Sequence, residues 1–235
     1  NTTGASNTAV GFQALDANTT ASDNTALGTR ALGATTTGAS NIGVGSQALA
    51  SNTTGANNVA MGTYALDANT TASNNSALGY GSLGANTTGT ENVAVGKNAL
   101  AVNTTGGYNV AVGSDCLDAN TTASSGTAIG YGALSTNTTG ADNTAVGNSS
   151  LLLNTTGASN VAVGNSALDA NTTGALGAAI GYGAGGGITT GGGNTCLGAN
   201  SANNDTILTT GTNNTCLGVY AHTSAVDSVK AISIG

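Results

Sequence analysis

Side chains able to do chemistry are few in this chain. His222 is the only histidine, and Cys116, Cys196 and Cys216 are the only cysteines. A nucleophilic Ser or Cys needs a base within hydrogen-bond reach, and a zinc centre needs several nitrogen or sulfur ligands converging, so one histidine leaves little to build with. His222 also stands where most repeats carry leucine, which points to a structural or solvent role. Asp115 and Asp118 bracket Cys116 and Leu117, but Asp118 belongs to a set with Asp16, Asp67 and Asp169 spaced 51 residues apart. That regularity suits a turn cap better than an acid-base pair. Calcium-built β-rolls require Gly-Gly-x-Gly-x-Asp in each coil, whereas these aspartates return once in three coils. The expectation is a protein that is not an enzyme and carries no cofactor or metal.

Binding chemistry has better candidates. Tyr80, Tyr131 and Tyr182 each precede a glycine on the same 51-residue beat. Exposed aromatics beside glycine stack on sugar rings, so these three are the candidate glycan contacts, with packing between chains as the other use. Asn-Thr-Thr triplets form glycosylation sequons at Asn1, Asn18, Asn52, Asn69, Asn86, Asn103, Asn120, Asn137, Asn154 and Asn171, or serve only as turn residues. A file of threonines at Thr2, Thr19, Thr36, Thr53 and onward raises ice binding as the rival function. Net charge is −7 with only Arg30, Lys97 and Lys230 as cations, which leaves nothing to neutralise a phosphate backbone and excludes nucleic acid as a partner. No apolar run approaches a membrane span, so no insertion within this segment is expected.

The element that must position these groups is a repeat. Glycine recurs every 17 residues from Gly11 to Gly198, then at Gly218 and Gly235, inside a unit of the form Asn7-Thr8-Ala9-Val10-Gly11, two variable residues, Ala14-Leu15 and Asn18-Thr19-Thr20. A unit this short cannot bury its own apolar face and must stack on copies of itself. Gly, Asn and Thr-Thr oppose a helix, and alternation through Asn7–Gly11 favours strands, two short ones per unit, with the glycine making a corner. The fold class expected is all-β, a parallel β-solenoid (β-roll) with 17-residue coils forming one continuous rod. The 51-residue beat is a duplication unit, because a coil of that perimeter could not be filled by the available aliphatics.

The aliphatic file Val10, Leu27, Val44, Met61, Leu78, Val95, Val112, Ile129, Val146, Val163 and Ile180 is read as the structural core, with Leu15, Leu32, Leu49 and their successors as a second inward position. The Ala9 phase holds only Ala, Gly, Cys or Ser, which implies close approach of another backbone. Because this core is thin, further burial is expected from other chains packing on the small Ala9 file, as a parallel homotrimer. The cysteines occupy Ala phases and read as small apolar fillers, although Cys196 and Cys216 fall on neighbouring rungs where a disulfide is open to them. Residues 1–183 are expected as regular repeats and 184–235 as degenerate ones forming a capping or transition zone. The chain begins in mid-repeat and stops on a repeat boundary, which suggests a piece of something longer.

Asn7-Thr8-Ala9-Val10-Gly11-Phe12-Gln13-Ala14-Leu15 and Asn52-Thr53-Thr54-Gly55 resemble the head repeats of trimeric autotransporter adhesins, and the tandem N-T-A-V-G arrays of long bacterial surface proteins and phage-type tail fibres. The resemblance spans essentially the whole chain, although coils in the adhesin heads are shorter. It implies a left-handed, homotrimeric roll in an extracellular, cell-surface or virion fibre. Its function would be structural: to project or form an adhesive, receptor-binding surface for a host-cell or glycan receptor.

Overall fold

The computed structural model describes residues 1–203, 209–223 and 227–235 and resolves the chain into two compact units, Asn1–Ser124 and Ser125–Gly235. Both are parallel β-solenoids whose coils carry one strand each, and among the described residues the regular elements are all strands. The first unit holds β1 (Thr8–Val10), β2 (Thr25–Leu27), β3 (Ile42–Val44), β4 (Val59–Met61), β5 (Ser76–Leu78), β6 (Val93–Val95) and β7 (Val110–Val112). The second holds β8 (Thr127–Ile129), β9 (Thr144–Val146), β10 (Val161–Val163), β11 (Ala178–Ile180), β12 (Thr195–Leu197), β13 (Thr215–Leu217) and β14 (Ile232–Ile234). Within each unit, successive strands pair parallel with equivalent residues opposite one another, as in Thr8↔Thr25 and Val161↔Ala178. The insertion near Asp205 lies outside the described residues; across it β12 still pairs β13 in phase, Cys196 opposite Cys216.

The expected second strand does not form. After the corner glycine the backbone enters a run of turns in which Gln13 and Leu15 adopt left-handed φ of 55° and 54°. A further left-handed residue precedes each strand, as Ser6 at φ 57° does before β1. Such angles end extended geometry, so the rest of the coil is a tight bend. Its backbone nonetheless bonds coil to coil, as in Leu32 N–H to Ala48 O at 2.9 Å and Arg30 N–H to Phe12 O at 2.9 Å. The corner needs glycine: Gly11 sits at φ +134°, and a Cβ there would lie 2.6 Å from the carbonyl oxygen of Gly28.

The interior is not the one expected for the aliphatic file. Along each strand the middle residue points in and its two neighbours point out. Ala60 is 0% exposed while the adjoining Met61 is 43% exposed. The whole file assigned to the core lies on the outer face: Val10, Leu27, Met61, Leu78, Val112, Ile129 and Ile180 are exposed, and Val44, Val95, Val146 and Val163 are half-buried. The reason is space. A bend this tight encloses room for alanine opposite the inward leucine, and even at Gly43 an added Cβ would come within 3.2 Å of the Leu32 Cγ. The close approach implied by the small Ala9 phase is therefore internal to the coil. The second inward position is as expected, with Leu32, Leu49, Leu66, Leu83, Leu100, Leu134 and Leu151 all fully buried.

Asparagine fills the remaining interior. In the first ladder Asn41 N–H donates to Asn24 Oδ1 at 2.9 Å and Asn41 Nδ2 donates to Gly55 O at 2.8 Å. In the second, Asn69 Nδ2 donates to Asn52 Oδ1 at 2.9 Å and to Ala72 O at 3.0 Å. Equivalent bonds recur in the second unit, where Asn171 Nδ2 donates to Asn154 Oδ1 at 2.9 Å. Each of these buried amides thus reaches a neighbouring coil, which satisfies the polar interior and pins the register.

Candidate functional site

With leucine, alanine and asparagine inside, the surface carries what function there is. On the outer sheet face the Val10 phase and the Thr8 phase stand side by side, giving apolar pairs such as Val59–Met61, Val93–Val95, Val110–Val112 and Val161–Val163. Equivalent side chains in consecutive coils stack one strand spacing apart, about 4.8 Å, so each unit presents apolar ribs of regular pitch. A soluble surface seldom leaves such a face open without a use for it.

Tyr80, Tyr131 and Tyr182 follow corner glycines and are exposed by 55%, 60% and 63%. The Tyr80 ring meets Tyr64 of the preceding coil edge to face, with centroids 5.9 Å apart and planes at 84°. Tyr64 escapes a reading by repeat phase because it occupies the next phase along; its signal is a spacing one residue short of a full coil.

The threonine files divide. Hydroxyls of the file beginning Thr2 and Thr19 are turned along the stack, as in Thr53 Oγ1 to Thr70 O at 3.0 Å and Thr155 Oγ1 to Thr172 O at 3.0 Å. The neighbouring file, Thr3, Thr20, Thr37, Thr54, Thr71, Thr88, Thr105 and Thr122 in the first unit and Thr139, Thr156, Thr173 and Thr190 in the second, is exposed throughout. Asn18, Asn52, Asn69, Asn86, Asn103, Asn120, Asn137, Asn154 and Asn171 are at most 1% exposed. The amide nitrogen that would carry a sugar donates inside the coil, as Asn86 Nδ2 does to Gly89 O at 2.9 Å, so these nine are structural residues of the folded chain and not glycan sites.

The acidic groups sit at the coil edge. Burial pushes Asp67, Asp118 and Asp169 above the usual carboxylate range, opposed by bonds from their own and the following backbone N–H groups, the arrangement of a turn cap. Asp118 Oδ1 is buried with no hydrogen-bond partner. Burial likewise raises the Cys116 thiol to about 12, and its Sγ donates to Gly113 O at 3.0 Å, so it is inert as a nucleophile. His222 borders a cleft of about 490 Å³ with Asn200, Asn203 and Tyr220, its Nδ1 3.2 Å from Thr223 O. Among the described residues no group of three or more His, Cys, Asp or Glu side chains could hold a metal ion, and no helix is long and apolar enough to cross a membrane. Comparison of the chain with protein-family models, with curated proteins and with solved structures gave no match.

Proposed function

We propose that this chain is a non-enzymatic fibre segment which assembles as a left-handed, parallel homotrimer and projects an adhesive or receptor-binding surface outside a cell or on a virion. The observation that carries the reading is the ribbed apolar sheet face of each unit, as at Val59–Met61 in the first and Val161–Val163 in the second. Ribs of fixed pitch interlock only with a partner of the same pitch, and a second or third copy of this chain supplies one without further design. The left-handed sense, the threefold assembly and the surface location come from the resemblance of the Asn-Thr-Ala-Val-Gly repeats to adhesin heads and fibre arrays. In a trimer each exposed tyrosine would appear three times around the axis, so weak contacts to glycans or receptors would add by multivalency.

Native mass measurement tests the assembly: three times the 22.1 kDa chain mass supports it, and a monomer overturns it. Cell or glycan binding by wild type and by the Tyr80→Ala, Tyr131→Ala, Tyr182→Ala triple variant tests the display role; unchanged binding removes the tyrosines from it. A second reading, ice binding, is favoured by the exposed threonine file beginning Thr3 and Thr20. Thermal hysteresis in a freezing assay, together with a monomeric mass, would put it ahead.

A further inference from the structure

Cys196 and Cys216 are direct partners in neighbouring parallel strands, both on the inward phase and both buried. Their Cα atoms are one strand spacing apart, about 4.8 Å, within the range that a disulfide spans. Nowhere else in the chain do two cysteines share a phase on adjacent coils.

The place is as informative as the geometry. The coil between them is 20 residues long, three more than the others; the inward leucine, last present at Leu168, gives way to Gly185 and Ala202, and His222 at the next equivalent position is exposed. The stretch thus lacks the leucine that fills the coils up to Leu168, and its longer backbone costs more to order. We propose that Cys196 and Cys216 form an intrachain disulfide inside the solenoid, a covalent staple across the one lengthened coil. The proposal does not depend on the fibre reading or on the oligomeric state.

The surroundings favour Cys216 as the attacking sulfur. The neighbouring Cys196 thiol pulls Cys216 below the ordinary thiol range, helped by a backbone bond from Thr223 and by nearby His222, while Cys196 is pushed up. With a low-molecular-weight disulfide such as oxidised glutathione present while the chain folds, before the coil closes over the pair, the Cys216 thiolate attacks one glutathione sulfur, forming a mixed disulfide and expelling a glutathione thiolate. Cys196 sulfur, losing its proton, then attacks Cys216 Sγ and expels the second glutathione. Two protein thiols are oxidised, one glutathione disulfide is reduced to two thiols, and the two protons pass to the departing thiolates.

The test uses the whole chain, reduced and unfolded, then refolded in oxidised glutathione, acid-quenched, denatured and alkylated. The expected product takes up one alkyl group, on Cys116, where the reduced chain takes up three. It is lighter by two hydrogens before alkylation, and a proteolytic map joins the peptides of Cys196 and Cys216. Cys116→Ala should cross-link unchanged, and the oxidised chain should melt higher than both its reduced form and Cys196→Ala. Three alkylatable thiols after exposure, a glutathione adduct that persists on Cys216, or any bridge to Cys116 or to another chain would overturn the proposal and leave these residues as apolar fillers.

Discussion

The two sides of one strand follow opposite rules. Ala94 and Val95 are neighbours in β6, yet the smaller side chain is fully buried and the larger one half-exposed. In an ordinary globular core the more apolar residue would go inside. Here the coil closes so tightly that volume decides, and hydrophobicity beyond alanine's is displaced to the outer face, where it becomes available for association.

The largest effect should come from forcing that order. Ala94→Leu, between Ala77 and Ala111 in the register, has no space to expand into and is expected to cost upwards of ~3 kcal/mol or to prevent folding. Val95→Ala should cost only about 1 kcal/mol in the isolated chain, because that side chain is only partly removed from water. Urea unfolding of the pair measures the contrast; equal losses would mean that Val95 is the packed residue. Val95→Asp should leave the coil folded while weakening any association through the sheet face.

Next in size is the asparagine ladder, the polar half of the same interior. Asn69→Ala removes the donor to Asn52 Oδ1 and to Ala72 O, leaving two buried acceptors each one bond short. The expected loss is about 2 to 3 kcal/mol. Asn57→Ser is the surface control: Asn57 is exposed, and Ser40 holds the same left-handed angle at the equivalent position of the preceding coil. Its effect should stay within about 0.5 kcal/mol.

Those same residues show how much of the fold is legible in the sequence. The recurrence of Gly11, Gly28 and Gly45 carries the stacking and the register, because a corner that only glycine can turn must fall at one place in each coil. Leu49 and its equivalents read correctly as inward. The aliphatic file beginning Val10 does not, because an apolar file suggests burial, while the size limit written in Ala26, Gly43 and Ala60 points equally to packing between chains or within the coil. Asn52 and Asn69 are legible as turn residues, but their amides reach a neighbouring coil, which only the stacked coils reveal. The left-handed φ at every inward leucine has no local signal at all, for leucine is a poor occupant of that region. On the surface, the exposed tyrosines are legible and the Tyr64 contact is not, because the two rings sit in different phases.

That backbone provides a smaller test. Gln47 and Leu49 hold φ of 60° and 53°, the first half-buried at the surface and the second fully buried. Relieving the strain at Gln47 with glycine, as Gly81 and Gly132 already do at that phase, is expected to stabilise by about 0.5 to 1 kcal/mol. Leu49→Gly relieves the same angle but empties the interior, and should cost about 2 kcal/mol or more. If both substitutions shift the unfolding midpoint the same way, backbone strain rather than burial governs this bend.

The smallest expected effect lies at the coil edge. Asp118 is half-buried, with its Oδ1 lacking a partner and its carboxyl above the usual range because burial disfavours the charge, with Asp115 nearby adding to this. A folded-state value above the unfolded one means that the folded chain binds the proton more tightly. Its contribution is then fully present below the unfolded value of 3.8 and is lost as pH rises through the folded one. Backbone N–H bonds to Asp118 oppose the shift, and partial exposure to solvent weakens it further. Asp118→Asn keeps an oxygen for those bonds and carries no charge, so it should raise the midpoint slightly at neutral pH and flatten its dependence between 3.8 and neutrality. Unfolding curves across that interval decide the point: a variant that is less stable at neutral pH, with an unchanged slope, would show that the Asp118 charge is held by the turn and not merely tolerated there.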